Sequence, residues 1–144
     1  MVLINPEIAM DSRRIAMVKE SFEKVKPYSS KVTRVLYDRL FELNPDLRKL
    51  FKKDMRSQRR KFIAALTQII DNLHDADKTA ATIKGLAKAH ISYEVKKEDY
   101  SLFGDALIFA LSAALGNDFN ETLKSAWRDV YNTLAQIMIN EAYN

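Results

Sequence analysis

Cysteine is absent, so the chain has no disulfide, no thiolate nucleophile and no cysteine-ligated metal. Glycine and proline number three each, too few to punctuate an all-β protein. No uninterrupted apolar run approaches the roughly 18 residues of a membrane-spanning segment. The amino-terminal stretch "MVLINPEIAMDSRR" opens with only four apolar residues and carries its positive charges after them, the reverse of a secretory signal. Residues 1–11 are therefore expected to be a short extension on a cytoplasmic protein. There is no phosphate-binding loop, no glycine-rich dinucleotide turn and no His-Glu-x-x-His zinc motif. Histidine occurs only twice, as His74 and His90, which leaves few routes to acid–base or metal chemistry.

What is present is an apolar fraction of 47% over 144 residues, enough for one domain with a sizeable core. Charge is unevenly spread. Residues 1–61 carry 16 Lys/Arg and 8 Asp/Glu, against 7 and 11 in residues 62–144. Arg48, Lys49, Lys52, Lys53, Arg56, Arg59, Arg60 and Lys61 crowd into one segment. Such a run reads either as a solvated helix face or as a docking surface for an anionic group or acidic partner. Nucleic acid is not expected, because no recognition motif accompanies the charge.

Apolar spacing is helical nearly throughout. Ile15, Val18, Phe22 and Val25 share a face, and Pro27 closes that helix. Val32, Leu36 and Leu40 define a second. "NPDLRKLF" reads as a new start, with Asn44 as N-cap and Pro45 at the first helical position. Phe62, Leu66, Ile69, Ile70 and Leu73 form another stripe. So do Ile83, Leu86 and His90, and then Phe103, Leu107, Leu111 and Ala114, with Gly116 placed to end that helix in a left-handed conformation. Asp118 and Glu121 suggest a capping box for a last helix on Phe119, Leu123, Trp127, Val130, Leu134 and Met138. The expectation is an all-α domain of about seven helices.

Three polar side chains fall on apolar faces. His90 shares one with Ile83 and Leu86, Gln58 shares one with Phe62, and Tyr37 shares one with Thr33 and Phe41. Buried polar groups need partners, so a shared ligand between them is one reading. On its own pattern His90 is a hydrogen-bonded core residue, a general base or a metal ligand. His74, in "NLHDADK", lies beyond its helix's apolar stripe and reads as an exposed loop residue.

The words "LYDRLFELNPDLRKLF", then Gln58, then "KAHISYEVKKEDY", resemble a known family. The chain is similar to bacterial single-domain haemoglobins and to the haem domain of flavohaemoglobins, over residues 12–143. The joint spacing carries the likeness: 14 residues from Tyr37 to Phe51, 32 from Gln58 to His90 and 10 from His90 to Tyr100. The resemblance implies a globin haem-binding domain over residues 12–144, with helices packed three over three around haem b. It makes His90 the proximal iron ligand. Phe51 becomes the wedge against the porphyrin, and Tyr37 and Gln58 face the open iron site. Phe62 stands over the distal face, where the family more often has leucine. Leu66, Leu86, Val95, Tyr100, Phe103 and Leu107 complete the pocket, and Lys61 or Arg60 pairs with a propionate. The free ring N–H of His90 is expected on a carbonyl one turn earlier, near Leu86.

The implied ligands are dioxygen, nitric oxide and other small gases. The implied activity is nitric oxide dioxygenation to nitrate, with Tyr37 and Gln58 as the catalytic donors and a separate flavin reductase as partner, since no flavin or nicotinamide motif is present. Oxygen storage, oxygen transport or gas sensing without turnover is the alternative. One departure bears on this choice. The family's late glutamate, which with the tyrosine at Tyr100 polarises the proximal histidine, falls on Ala142. Glu141 is one residue away, a rotation of about 100° on a helix.

Overall fold

The computed structural model describes residues 11–51, 54–92 and 95–143. Among these there are six α-helices, three short 3-10 helices and no strand. Helix α1 (Ser12–Val25) is capped by Asp11, whose carboxylate accepts the Arg13 N–H at 2.8 Å. It stops where Pro27 enters a 3-10 turn, Lys26–Tyr28, which leads straight into α2 (Ser29–Leu43). The Asn44 side chain then accepts the Asp46 N–H at 3.1 Å, with Pro45 first in the helix, as the sequence indicates. The element it starts is a 3-10 helix, Pro45–Leu50. Six residues are too few to repay α-helix nucleation, so the expected seventh helix is this tighter turn.

Asp54 caps α3 (Met55–Asp71), and α4 (Ala76–Ser92) follows a short turn. Helix α5 (Lys97–Leu115) starts with the Asp99 carboxylate on the Lys96 N–H at 2.9 Å. It ends at Gly116, whose φ of 55° and ψ of −128° give a positive φ but not the left-handed helical region. That conformation is close to glycine-only. Asp118 belongs to the following 3-10 turn, Gly116–Asp118. The cap of α6 (Glu121–Tyr143) is instead Asn120, which accepts the Leu123 N–H at 2.9 Å, and this corrects the Asp118–Glu121 expectation.

Helix α5 is the centre of the fold, packed against α2, α6 and α1, while α4 lies on α6 and α3. By length and composition residues 97–118 are apolar enough to cross a membrane, at mean hydropathy 1.2. Here Tyr100, Gly104, Ala106, Leu107, Ile108, Ala110 and Leu111 turn that apolarity inward. Ala114, near the end of the helix, is exposed, unlike Leu107 and Leu111. The core closes on Trp127 of α6. Its indole N–H donates to the Ser21 hydroxyl at 2.8 Å, and that hydroxyl donates back to the Met17 carbonyl at 2.9 Å. Both side chains are buried, so the pair joins the first and last helices with no polar group left open.

Candidate functional site

Tyr37 sits in the middle of α2 on the face that meets α5, and only 2% of its surface is exposed. Four aromatic rings surround it. Phe41 lies one turn on. Phe51, just after the 3-10 helix, meets it edge-on at 5.5 Å, with Phe62 of α3 at 6.2 Å and Phe103 of α5 at 6.0 Å. Phe62 and Phe103 also touch, at 5.1 Å. Edge-to-face geometry at these separations is the favourable one for aromatic pairs.

The polar member of the cluster is Gln58, one turn before Phe62. Its amide N–H donates to the Tyr37 phenol oxygen at 3.2 Å. Because the oxygen accepts there, the phenol's own hydrogen is free for a ligand. Burial pushes the Tyr37 pKa up to about 12, while the Gln58 hydrogen bond and the Arg59 charge pull it the other way. Burial wins, and at neutral pH Tyr37 is a protonated donor.

A second group lies on α4 and the start of α5. His90 is half-buried, and its Nδ1 lies 2.7 Å from the Leu86 carbonyl oxygen. A carbonyl only accepts, so Nδ1 carries the hydrogen and Nε2 of a neutral ring presents its lone pair. Tyr100 stacks on the imidazole at 5.8 Å between ring centres, with planes 23° apart. The His90 carbonyl accepts the Val95 N–H at 3.2 Å, and Leu86 and Val95 pack against the core.

The expected residues thus assemble into two groups: Tyr37, Gln58, Phe51, Phe62 and Phe103 in one, and His90, Leu86, Val95 and Tyr100 in the other. Leu66 and Leu107 stand behind Phe62, lining with it a small apolar void of about 10 Å³. Lys61 and Arg60 are exposed side chains of α3. Of the basic run, Arg48 lies over the Phe41 ring at 4.7 Å and Lys49 is 3.9 Å from Asp46, whereas Lys52 and Lys53 lie outside the described residues. His74 is exposed, its Nδ1 accepting from the Lys19 ammonium at 3.2 Å, as a loop residue should be. Glu141 is exposed as well, and the side chain of Ala142 lies outside the described structure, as does the extension up to residue 10. A groove of about 480 Å³ between α1 and α3 is lined by Lys19, Glu20, Glu23 and Asp71 and shares no residue with either group.

Two residues beside the site escape the sequence pattern. Tyr131 of α6 stacks on Phe103 at 6.4 Å and donates its hydroxyl to the Tyr100 carbonyl at 2.6 Å. Gly104 gives it room, since a Cβ there would lie 2.6 Å from the Tyr131 ring. The one signal in the sequence is the glycine, a residue that costs stability inside a helix relative to alanine and so calls for a packing reason.

Six helices, with apolar α5 at their centre, carry one half-buried imidazole and a part-buried phenol–amide pair on an all-α scaffold. A family profile described as Globin matches residues 34–138. The chain belongs to the globin family, with the all-α globin fold. Among curated proteins it is 26% identical over 140 residues to a Flavohemoprotein of Bordetella pertussis, covering 95% of this chain and 33% of that protein. It is 24% identical over 146 residues to a Flavohemoprotein of Oceanobacillus iheyensis, covering 97% and 36%. The chain thus spans about a third of the length of these relatives. A hexacoordinated heme protein from an anhydrobiotic tardigrade superposes with a TM-score of 0.86 over 98% of this chain and all of that one, at 14% identity, a likeness of fold.

Proposed function

We propose that the chain binds haem b, with Nε2 of His90 as the iron ligand, and uses the Tyr37–Gln58 pair to hold dioxygen. The observation that carries this reading is the Nδ1 bond to the Leu86 carbonyl at 2.7 Å, which fixes the tautomer a metal-ligating histidine needs. The donor set suits haem rather than a bare ion. Among the described residues no cluster of three His, Cys, Asp or Glu could hold a metal, and a lone imidazole suits a metal that brings further ligands of its own. Phe51, Phe62, Phe103, Leu66, Leu86, Leu107 and Val95 offer the apolar surroundings such a macrocycle requires, and Arg60 and Lys61 are cations available to its propionates.

Ferrous haem, when bound, supplies an open coordination position for dioxygen and other diatomic gases. The protein's own contribution is to donate. Tyr37 directs its phenol hydrogen at a ligand that gains negative charge, and Gln58 holds the phenol oxygen in place. In a dry aromatic setting each donor strengthens ligand retention. The likeness to flavohemoproteins supports nitric oxide dioxygenation as the activity, one nitric oxide, one dioxygen and one electron giving nitrate. The electron comes from a separate flavin reductase, for which the exposed cations of α3 suit an acidic docking face.

The exposed Glu141 favours a second reading. With a neutral carbonyl as its hydrogen-bond acceptor, His90 is polarised less than by a carboxylate, which suits oxygen storage or delivery. One experiment separates the two: record the visible spectrum of the purified protein, then add nitric oxide to its oxygenated form with a flavin reductase and count turnovers. Sustained nitrate production supports the dioxygenase, and a single stoichiometric burst supports the store. A colourless protein that takes up no haemin ends both.

A further inference from the structure

Helix α5 carries an 18-residue stretch of high hydropathy, yet only 39% of that stretch is buried. Leu102, Phe109 and Ala113 lie along the part left open, at i, i+7 and i+11. Among the described residues the exposed large apolar side chains are Tyr28, Leu43 and Phe109, and Phe109 is 45% exposed. Two of these three belong to one face. The Arg39 guanidinium of α2 lies over the Phe109 ring at 4.7 Å, and Leu43 follows Arg39 by one turn. The stretch from Leu102 to Ala113 runs about 17 Å along the helix axis, the scale of an interface core inside a polar rim. An open aromatic ring with an arginine laid across it is the composition enriched at such cores.

We propose that the α2–α5 face around Phe109 and Arg39 joins two copies of this chain, the same face meeting itself across a two-fold axis. Charge selects the partner. The chain carries a formal net charge of +4, so two copies repel unless they meet on a face without net charge. This face is neutral. Arg39 lies 3.8 Å from Glu42, and Asp105 lies 2.9 Å from Arg128 of α6. By contrast Arg56, Arg59, Arg60 and Lys61 of α3 enter no ion pair among the described residues. A strongly acidic partner is drawn to α3 and gains nothing at Phe109. Lipid hydrocarbon suits the face poorly, because Arg39 and Glu42 would lose water and find no new partner there. A second copy supplies both needs at once: an apolar surface for Phe109, and an acid and a base within the same patch for Arg39 and Glu42. Nothing in this inference involves His90 or haem, so it stands apart from the proposed function.

The test is sedimentation equilibrium of the purified chain, as isolated, over a concentration series, with helix content recorded for every variant. Wild type is expected to rise from 16.6 kDa toward twice that mass. Phe109→Asp is expected to weaken association by about 100-fold or more, because a two-fold contact loses the ring twice. Tyr28→Asp changes an aromatic that is 66% exposed but off this face, and is expected to associate as wild type does. If Phe109→Asp loses its helix content, Phe109→Ser decides, with the same direction expected. Raising the salt concentration is expected to leave association intact or strengthen it, since it screens the repulsion between two positive chains. A wild type that stays at 16.6 kDa at the highest concentration reached overturns the proposal. So does a monomer that instead floats with phosphatidylcholine vesicles, which gives the face to lipid. A dimer that Phe109→Asp leaves unchanged, or one that salt dissolves, places the contact elsewhere and overturns it as well.

Discussion

Replacing Tyr37 with phenylalanine removes one oxygen from the centre of the proposed ligand site and leaves the ring, with its Phe51, Phe62 and Phe103 contacts, in place. The phenol oxygen accepts from Gln58 at 3.2 Å, so its hydrogen is the donor a bound gas meets. A hydrogen bond to a group bearing negative charge contributes about 1.5–3 kcal/mol, which is about 10- to 150-fold in affinity. Related complexes differ mostly in how fast they come apart, so the change belongs to the off-rate. Dioxygen release from Tyr37→Phe, followed by stopped-flow displacement with carbon monoxide, is expected to speed up by about that factor. Gln58→Leu leaves the phenol in place without its holder. If Gln58 acts partly through Tyr37, the double variant loses less than the two single losses combined. Release from Tyr37→Phe at the wild-type rate refutes the reasoning, because it places the phenol out of reach of the ligand.

His90→Ala is expected to abolish haem retention, and a variant that kept a normal five-coordinate ferrous spectrum would assign the ligand elsewhere. The Tyr37 phenol titrates at about 12 in the fold against 10.0 when free, so the unfolded chain gives up this proton first. Its contribution is therefore constant below pH 10, and stability falls as pH rises toward 12 by about 1.4 kcal/mol per unit, about 3 kcal/mol in all. Urea midpoints from pH 8 to 12 measure this, and Tyr37→Phe should flatten part of the slope, while Tyr131, whose pKa burial also raises, contributes to what remains. Ser21→Ala strands the buried Trp127 indole N–H and should cost about 1–3 kcal/mol, read by denaturant unfolding with the fluorescence of the sole tryptophan.

Most of the architecture was legible because helical burial writes itself into spacing. Phe22, Leu36, Ile70, Ile83, Leu111 and Trp127 all fall on stripes visible in the sequence, and all are buried. The same logic brought Gln58 toward Tyr37, since each shares a face with core aromatics. Periodicity failed where elements are short. Residues 45–50 make too little contact with their own pattern to separate 3-10 from α, and at Asn117–Asn120 several side chains can cap, so local geometry chose Asn120. Tyr131 illustrates the deeper limit. A stripe tells which side of α6 faces inward, but not that a phenol there meets a glycine on α5. That pairing depends on how two helices cross, which neither helix records alone.

The brace on His90 comes from Leu86, four residues earlier on the same helix. Ring and brace therefore travel as one piece. If α4 slides or tilts against α6, the imidazole is carried along without its hydrogen bond being broken or remade. Such a mounting ties the direction of the ring to the seating of α4, so under the proposed haem ligation a substitution at the α4–α6 seam is expected to alter ligand affinity from a distance.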